Sequence, residues 1–194
     1  MGAISINAGE LPPCLSGERN LVLIGYRATG KTAVGALLAE RLGRPLVDLD
    51  QALEMEMGRS IAELVAAKGW PEFRRREKEM VARCARVGGQ VLATGGGVVL
   101  DPENITILRE NGVVVWLQAD PGTIRKRLAR DQVQESQRPS LTGGGTLDEV
   151  AEVLQTRQPL YAAAAHVVID TAGQSIGQVV EKVMTAVQSL SKDE

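Results

Sequence analysis

Residues 20–32 read NLVLIGYRATGKT, a continuous apolar run that enters a glycine-bounded loop and leaves it on Lys31 and Thr32. Few local patterns restrict a fold as tightly. Gly25-Tyr26-Arg27-Ala28-Thr29-Gly30-Lys31-Thr32 fits G-x-x-x-x-G-K-[ST], and it stands where that pattern has meaning, after a strand and at the opening of a helix. The helix is expected over residues 33–42, where Val34, Leu37, Leu38 and Leu42 share a face. Such a loop wraps an anion with backbone N–H groups and adds the positive end of a helix dipole. Ala28, Thr29, Gly30, Lys31, Thr32 and Ala33 are therefore expected around the phosphates of ATP, with Lys31 reaching the β- and γ-phosphates and the Thr32 hydroxyl on Mg²⁺.

Further apolar runs at residues 46–48, 90–94, 113–117 and 166–170 add four strands, with helical patterns between them. Strands that are apolar throughout need cover on both sides. The expected architecture is α/β: a doubly wound five-stranded parallel sheet with helices on both faces. A chain of 194 residues suits one domain, expected over residues 20–194 behind a flexible leader at 1–19 that holds Pro12 and Pro13. Residues 131–146, DQVQESQRPSLTGGGT, break the apolar period with Pro139 and three consecutive glycines and are expected to form a mobile lid.

Composition removes other classes. A net charge of -2 gives no global basic surface for the counterion release that drives nucleic-acid binding, so no nucleic-acid partner is expected. Two cysteines, Cys14 and Cys84, and a single histidine, His166, are too few for a structural zinc site or a disulfide framework, and they suit a reducing cytoplasm. No stretch approaches about 18 uninterrupted apolar residues, so no membrane partner is expected either. Of the 22 basic residues 16 are arginine, the side chain suited to carboxylate and phosphate.

The phosphate loop alone is shared by GTPases, ATPases and small-molecule kinases. None of the asparagines at 7, 20, 104 and 111 is followed by lysine, so the guanine-reading N-K-x-D is absent. In Leu46-Val47-Asp48-Leu49-Asp50, two carboxylates stand two residues apart, hence on one face at the carboxyl end of a strand. Asp48 is read as holding Mg²⁺ through water and Asp50 as accepting a hydrogen bond or proton from an acceptor hydroxyl. An acidic turn capping the next helix would look the same. The residues thus point to an Mg²⁺–ATP-dependent kinase for a small, anionic, hydroxylated metabolite.

From about residue 20 onward the chain resembles the shikimate kinases. GYRATGKT, VDLD, GRSIAEL, EFRRRE, ATGGGVV, QRPSL and TRQPLY occur in that family's order and approximate spacing. The resemblance implies a P-loop kinase architecture with a mobile lid and transfer of the γ-phosphoryl of ATP to the 3-hydroxyl of shikimate in aromatic amino-acid biosynthesis. Other small-metabolite kinases of this fold, such as one for gluconate, and a non-catalytic nucleotide-binding relative stand as alternatives. The resemblance further implies that Asp50 contacts the shikimate hydroxyls as base, that Arg74 and Arg157 grip its carboxylate, and that Gly95, Gly96 and Gly97 line the acceptor pocket. The acceptor segment is expected over about residues 48–80. Arg138 is implied to close over the phosphates, Arg130 to stack on adenine, and Gln174 to meet the nucleotide. A monomer is expected. Arg75 and Arg76 are read as a solvated helix face. Three departures stand out: Trp70-Pro71 before the Phe-Arg pair, Ala28 in place of a frequent glycine, and a lid one residue longer.

Overall fold

The computed structural model describes residues 19–130 and 149–190. The lid with Arg138, and the leader up to residue 18, lie outside the described residues.

The apolar run at the start becomes β1 (Asn20–Ile24), every residue of it buried. The phosphate loop follows and leads into α1 (Lys31–Leu42), which begins two residues earlier than the apolar face alone marks. Next come β2 (Leu46–Asp48), α2 (Leu49–Met57) and α3 (Ile61–Ala85). The start of α3 is fixed by a capping box between Ser60 and Glu63. The helix breaks at Gly69, whose φ of 78° and ψ of 171° only glycine adopts readily, and Pro71 begins the second run. Then follow β3 (Val91–Ala93), a short 3₁₀ turn at Val98–Leu100, α4 (Pro102–Glu110), β4 (Gly112–Gln118) and α5 (Pro121–Arg130). The described chain ends with α6 (Val150–Ala164), β5 (Val167–Asp170) and α7 (Ile176–Leu190).

The five strands pair in the order β2-β3-β1-β4-β5, all parallel. Alternation along the strands splits the core in two. Leu21, Leu23, Val113, Val115 and Leu117 face one side, under Val34 and Leu38 of α1 and Val179, Val180, Val183 and Val187 of α7. Val22, Ile24, Leu92, Val114 and Trp116 face the other, against α2, α3, α4 and α6. This is the doubly wound arrangement expected from strands with two apolar faces. From β1 the chain crosses to β2 at one edge, returns through β3 beside β1 and then passes to β4 on the other side of β1, and a crevice opens at the carboxyl ends where such a sheet divides. The register sets Asp48 of β2 level with Ala93 of β3, and Ala93 level with Leu23 of β1. The loops after these three strands therefore face one another.

Candidate active site

A cleft of about 430 Å³ occupies this crevice. Its lining includes Ala28, Thr29, Gly30, Lys31, Thr32 and Ala33 of the phosphate loop and α1, with Asp48, Asp50, Gly96, Arg127, Arg130 and Gln174 around them.

The loop owes its shape to backbone. Gly25, Ala28 and Gly30 have φ of 142°, 60° and 95°. A Cβ on Gly25 would stand 2.4 Å from the Leu117 carbonyl oxygen, so β1 and β4 approach too closely there for any side chain. Thr29 Oγ1 donates to the Tyr26 carbonyl at 2.8 Å, and Lys31 Nζ folds back to donate to the Gly25 and Tyr26 carbonyls, both at 2.8 Å. Among the described residues no side chain caps α1, and its first turn has no acidic residue. Its leading N–H groups therefore remain for an anion. Arg27 pairs at 3.5 Å with the buried Glu149 just ahead of α6.

The two aspartates are brought together differently from the alternation argument. The strand ends at Asp48, and Asp50 already lies in the first turn of α2. Asp48 is the N-cap: its Oδ1 accepts the N–H of Asp50 at 3.1 Å and of Gln51 at 3.2 Å, which turns the chain out of the sheet. Its Oδ2 accepts the Thr32 hydroxyl at 2.7 Å. The helix-capping reading and the site reading thus describe one side chain. The Thr32 hydroxyl and Asp48 carboxylate form an all-oxygen donor pair, which fits a hard cation such as Mg²⁺. Among the described residues no group of three or more His, Cys, Asp and Glu could hold a metal.

Asp50, Arg74, Glu77, Arg157 and Tyr161 gather around Gly95, Gly96 and Gly97. A Cβ on Gly95 would lie 2.7 Å from Asp50 Oδ1 and 2.8 Å from Glu77 Oε1, and one on Gly97 would lie 2.1 Å from Arg74 Nη2. Carboxylates and a guanidinium occupy the space at Gly95 and Gly97, while a Cβ on Gly96 would lie 3.4 Å from the Arg27 backbone nitrogen. Arg74 donates to Glu77 at 2.5 Å, and its guanidinium carbon lies 4.9 Å from the Phe73 ring centroid and 5.4 Å from that of Trp70. Trp70, displaced by the Gly69 break, thereby braces Arg74. Arg157 is buried and donates to the Gly96 carbonyl at 3.1 Å, and Tyr161 donates to the same oxygen at 2.5 Å. Burial pushes the Tyr161 phenol up, which keeps it a donor. Its ring stacks on Trp116 of β4 at 5.6 Å, tying α6 to the sheet. Arg75 and Arg76 pair with Glu72, whose carboxyl they pull down to about 2, and Arg75 also pairs with Glu79, on the helix side away from the site.

At the other end Arg130 closes α5, and Gln174 donates to the Asp170 carbonyl at 2.5 Å. Gln174 Oε1 is buried and has no hydrogen-bond partner among the described residues.

Sequence reasoning passed over three residues. Glu77, the last residue of EFRRRE, is 5% exposed, and burial raises its pKa against the pull of Arg74. The available signal was its place in the stripe Phe73, Glu77, Met80, Val81, whose other members are core. Tyr161, the last residue of TRQPLY, carries no local sign of its hydrogen bond to the Gly96 carbonyl. Arg127 joins segments 44 and 99 residues away in sequence, and nothing local marks it.

The family model for shikimate kinase matches residues 27–188. A shikimate kinase of Symbiobacterium thermophilum is 49% identical over 169 residues, covering 87% of this chain and 96% of the relative. One of Syntrophus aciditrophicus is 41% identical over 180 residues, covering 89% and 92%. Among solved structures, shikimate kinase from Acinetobacter baumannii in complex with shikimate superposes with a TM-score of 0.82 at 31% identity, covering 89% of this chain and 94% of that one.

Proposed function

The chain belongs to the shikimate kinase family and is an ATP-dependent shikimate kinase, and from that premise we propose how its residues divide the work of moving the γ-phosphoryl of ATP to the 3-hydroxyl of shikimate. One observation supports the division above others: Asp50 lines the same cleft as Lys31 and Thr32, while its Oδ1 meets Gly95 beside Glu77. A carboxylate that touches both ends is placed to serve an acceptor hydroxyl facing the phosphates.

In this reading the phosphate loop and the open N-terminus of α1 bind the nucleotide, with Arg130 and Gln174 toward the base. Lys31 exchanges its two loop carbonyls for phosphate oxygens. Thr32 and Asp48 would hold Mg²⁺, which when bound would neutralise phosphate charge. Arg74 and Arg157 take the shikimate carboxylate, a planar anion that suits their planar forks. Gly95, Gly96 and Gly97 let the ring lie against the backbone. The 3-hydroxyl oxygen then attacks the γ-phosphorus, Asp50 receives its proton, and ADP leaves. Arg138, outside the described residues, is assigned to the charge that develops in transfer. Catalysis here is positioning plus electrostatics. The same reading takes the protein to be a cytoplasmic monomer.

The test is ADP release with Mg²⁺–ATP and shikimate, gluconate or no acceptor, in wild type and Asp50→Asn. Turnover is expected with shikimate alone and is expected to fall by roughly 10²- to 10⁴-fold in the variant while ATP-analogue binding persists. Equal turnover with gluconate, or full activity in Asp50→Asn, would overturn the assignment.

A further inference from the structure

Ala28 is the one non-glycine among the described residues with a left-handed backbone, at φ 60°. That conformation is unfavourable for any residue bearing a Cβ, so something must hold it. The hydrogen bonds made by Thr29 and Lys31 end on the Tyr26 and Gly25 carbonyls and leave the Ala28 carbonyl aside. That carbonyl accepts from Arg127 Nη1 at 3.2 Å. The same guanidinium donates to Thr171 Oγ1 at 3.0 Å and to the Thr171 carbonyl at 2.7 Å. Thr171, only 2% exposed, is itself fastened to β4: its N–H and its Oγ1 both donate to the Gln118 carbonyl, at 2.8 and 3.1 Å. A continuous chain of bonds thus runs from the sheet through Thr171 and Arg127 to the strained peptide.

We propose that Arg127 is a positioning residue for the nucleotide, holding the Ala28–Thr29 peptide in the orientation that binds phosphate. The Ala28 carbonyl and the Thr29 N–H belong to one planar unit and point in opposite directions. Fixing the carbonyl on the Arg127 side fixes where the Thr29 N–H points, and Thr29 lines the cleft. A glycine at position 28 would adopt this turn without help. Alanine makes the loop depend on an anchor from α5. The inference rests on the reading of the cleft as the ATP site.

The experiment uses the full chain and four variants: Arg127→Gln, Arg127→Lys, Ala28→Gly, and Ala28→Gly combined with Arg127→Gln. Calorimetric titration with a non-hydrolysable ATP analogue and Mg²⁺ is paired with steady-state kinetics and thermal melts. Arg127→Gln and Arg127→Lys are each expected to weaken analogue binding and raise the KM for ATP about tenfold, with kcat and the KM for shikimate within about twofold. In the Ala28→Gly background the glutamine substitution is expected to cost about threefold or less. An equal penalty in both backgrounds would overturn the proposal in favour of direct phosphate contact. Full rescue by lysine would overturn it in favour of bulk charge. A joint rise in both KM values with a lower melting temperature would reduce Arg127 to a structural role. Wild type that binds the analogue but does not phosphorylate shikimate would sink the functional reading, while the titrations would still decide the role of Arg127.

Discussion

At the phosphate end of the cleft, eight consecutive residues from Gly25 to Thr32 set the geometry, chiefly through main chain. At the acceptor end three helices and one loop contribute side chains: Asp50 from α2, Arg74 and Glu77 from α3, Arg157 and Tyr161 from α6, closed by the glycines after β3. Both ends depend on glycine, but for different reasons. Gly25 has another backbone against it, the Leu117 carbonyl at 2.4 Å from a notional Cβ, whereas Gly97 has the far end of a long side chain, Arg74 Nη2 at 2.1 Å. A site made of main chain tolerates varied side chains and is rigid against crowding. A site made of side chains yields to crowding and loses its alignment instead.

Gly25→Ala breaks this comparison most severely. Its Cβ would meet a carbonyl that β4 cannot move, at a φ of 142° that alanine does not adopt. A loss of about 3 kcal/mol is expected, or roughly 6–12 °C in melting temperature for a chain of this size, together with loss of ATP-analogue binding. A thermal melt and one titration check it. If the variant melts like wild type, the backbone contact is not the constraint claimed here.

Gly97→Ala sharpens it. The guanidinium of Arg74 can swing aside, so the melting temperature is expected to stay within about 2 °C of wild type. The shikimate carboxylate would lose a charge-assisted partner, and the KM for shikimate is expected to rise about tenfold or more, with the KM for ATP unchanged. Steady-state kinetics with each substrate varied separately distinguish this from a general defect, which would move both constants.

The same contrast explains what could be read from the sequence. The phosphate end was legible because its chemistry is contiguous, and the five strands because each is an apolar run, buried on both faces in β1, β3 and β4 and partly exposed in the edge strands β2 and β5. Thr32 and Asp48 were both read toward Mg²⁺, but their direct contact is tertiary, since β3 separates β1 from β2 in the sheet. Asp50 lines the cleft, but strand alternation does not put it there, since Asp48 caps α2 and ends the strand before alternation can act. Arg74 and Arg157 were legible only through family resemblance, because nothing in their neighbourhoods says that α3 and α6 meet at Gly96 and Gly97. Glu77 and Arg127 were missed because their partners are fixed by tertiary packing. A carboxylate inside an apolar stripe was the visible trace of the first, and a bond spanning 99 residues leaves no local trace of the second.

Glu77 also carries the smallest effect and the finest test of the comparison. Burial raises its pKa above the ordinary 4.5, and Arg74 offsets that only in part. The folded state therefore binds the proton at a higher pH than the unfolded state does. Between 4.5 and the raised value, stability increases as pH falls, and above the raised value the buried charge is a standing cost. Affinity for shikimate should move the other way, because protonating Glu77 removes the carboxylate that aligns Arg74. In wild type, lowering pH through this window is expected to raise the KM for shikimate about threefold relative to Glu77→Gln, whose KM is already high and flat. Glu77→Gln should also melt no lower than wild type at neutral pH, since it deletes a charge whose burial outweighs its pairing. The KM for ATP, set by main chain at the other end, should show no such difference between the two proteins. Parallel pH profiles of the two KM values decide it: a Glu77-dependent step in the ATP profile would mean that the two ends are coupled through Asp50, which lines the cleft and lies beside Glu77 at Gly95.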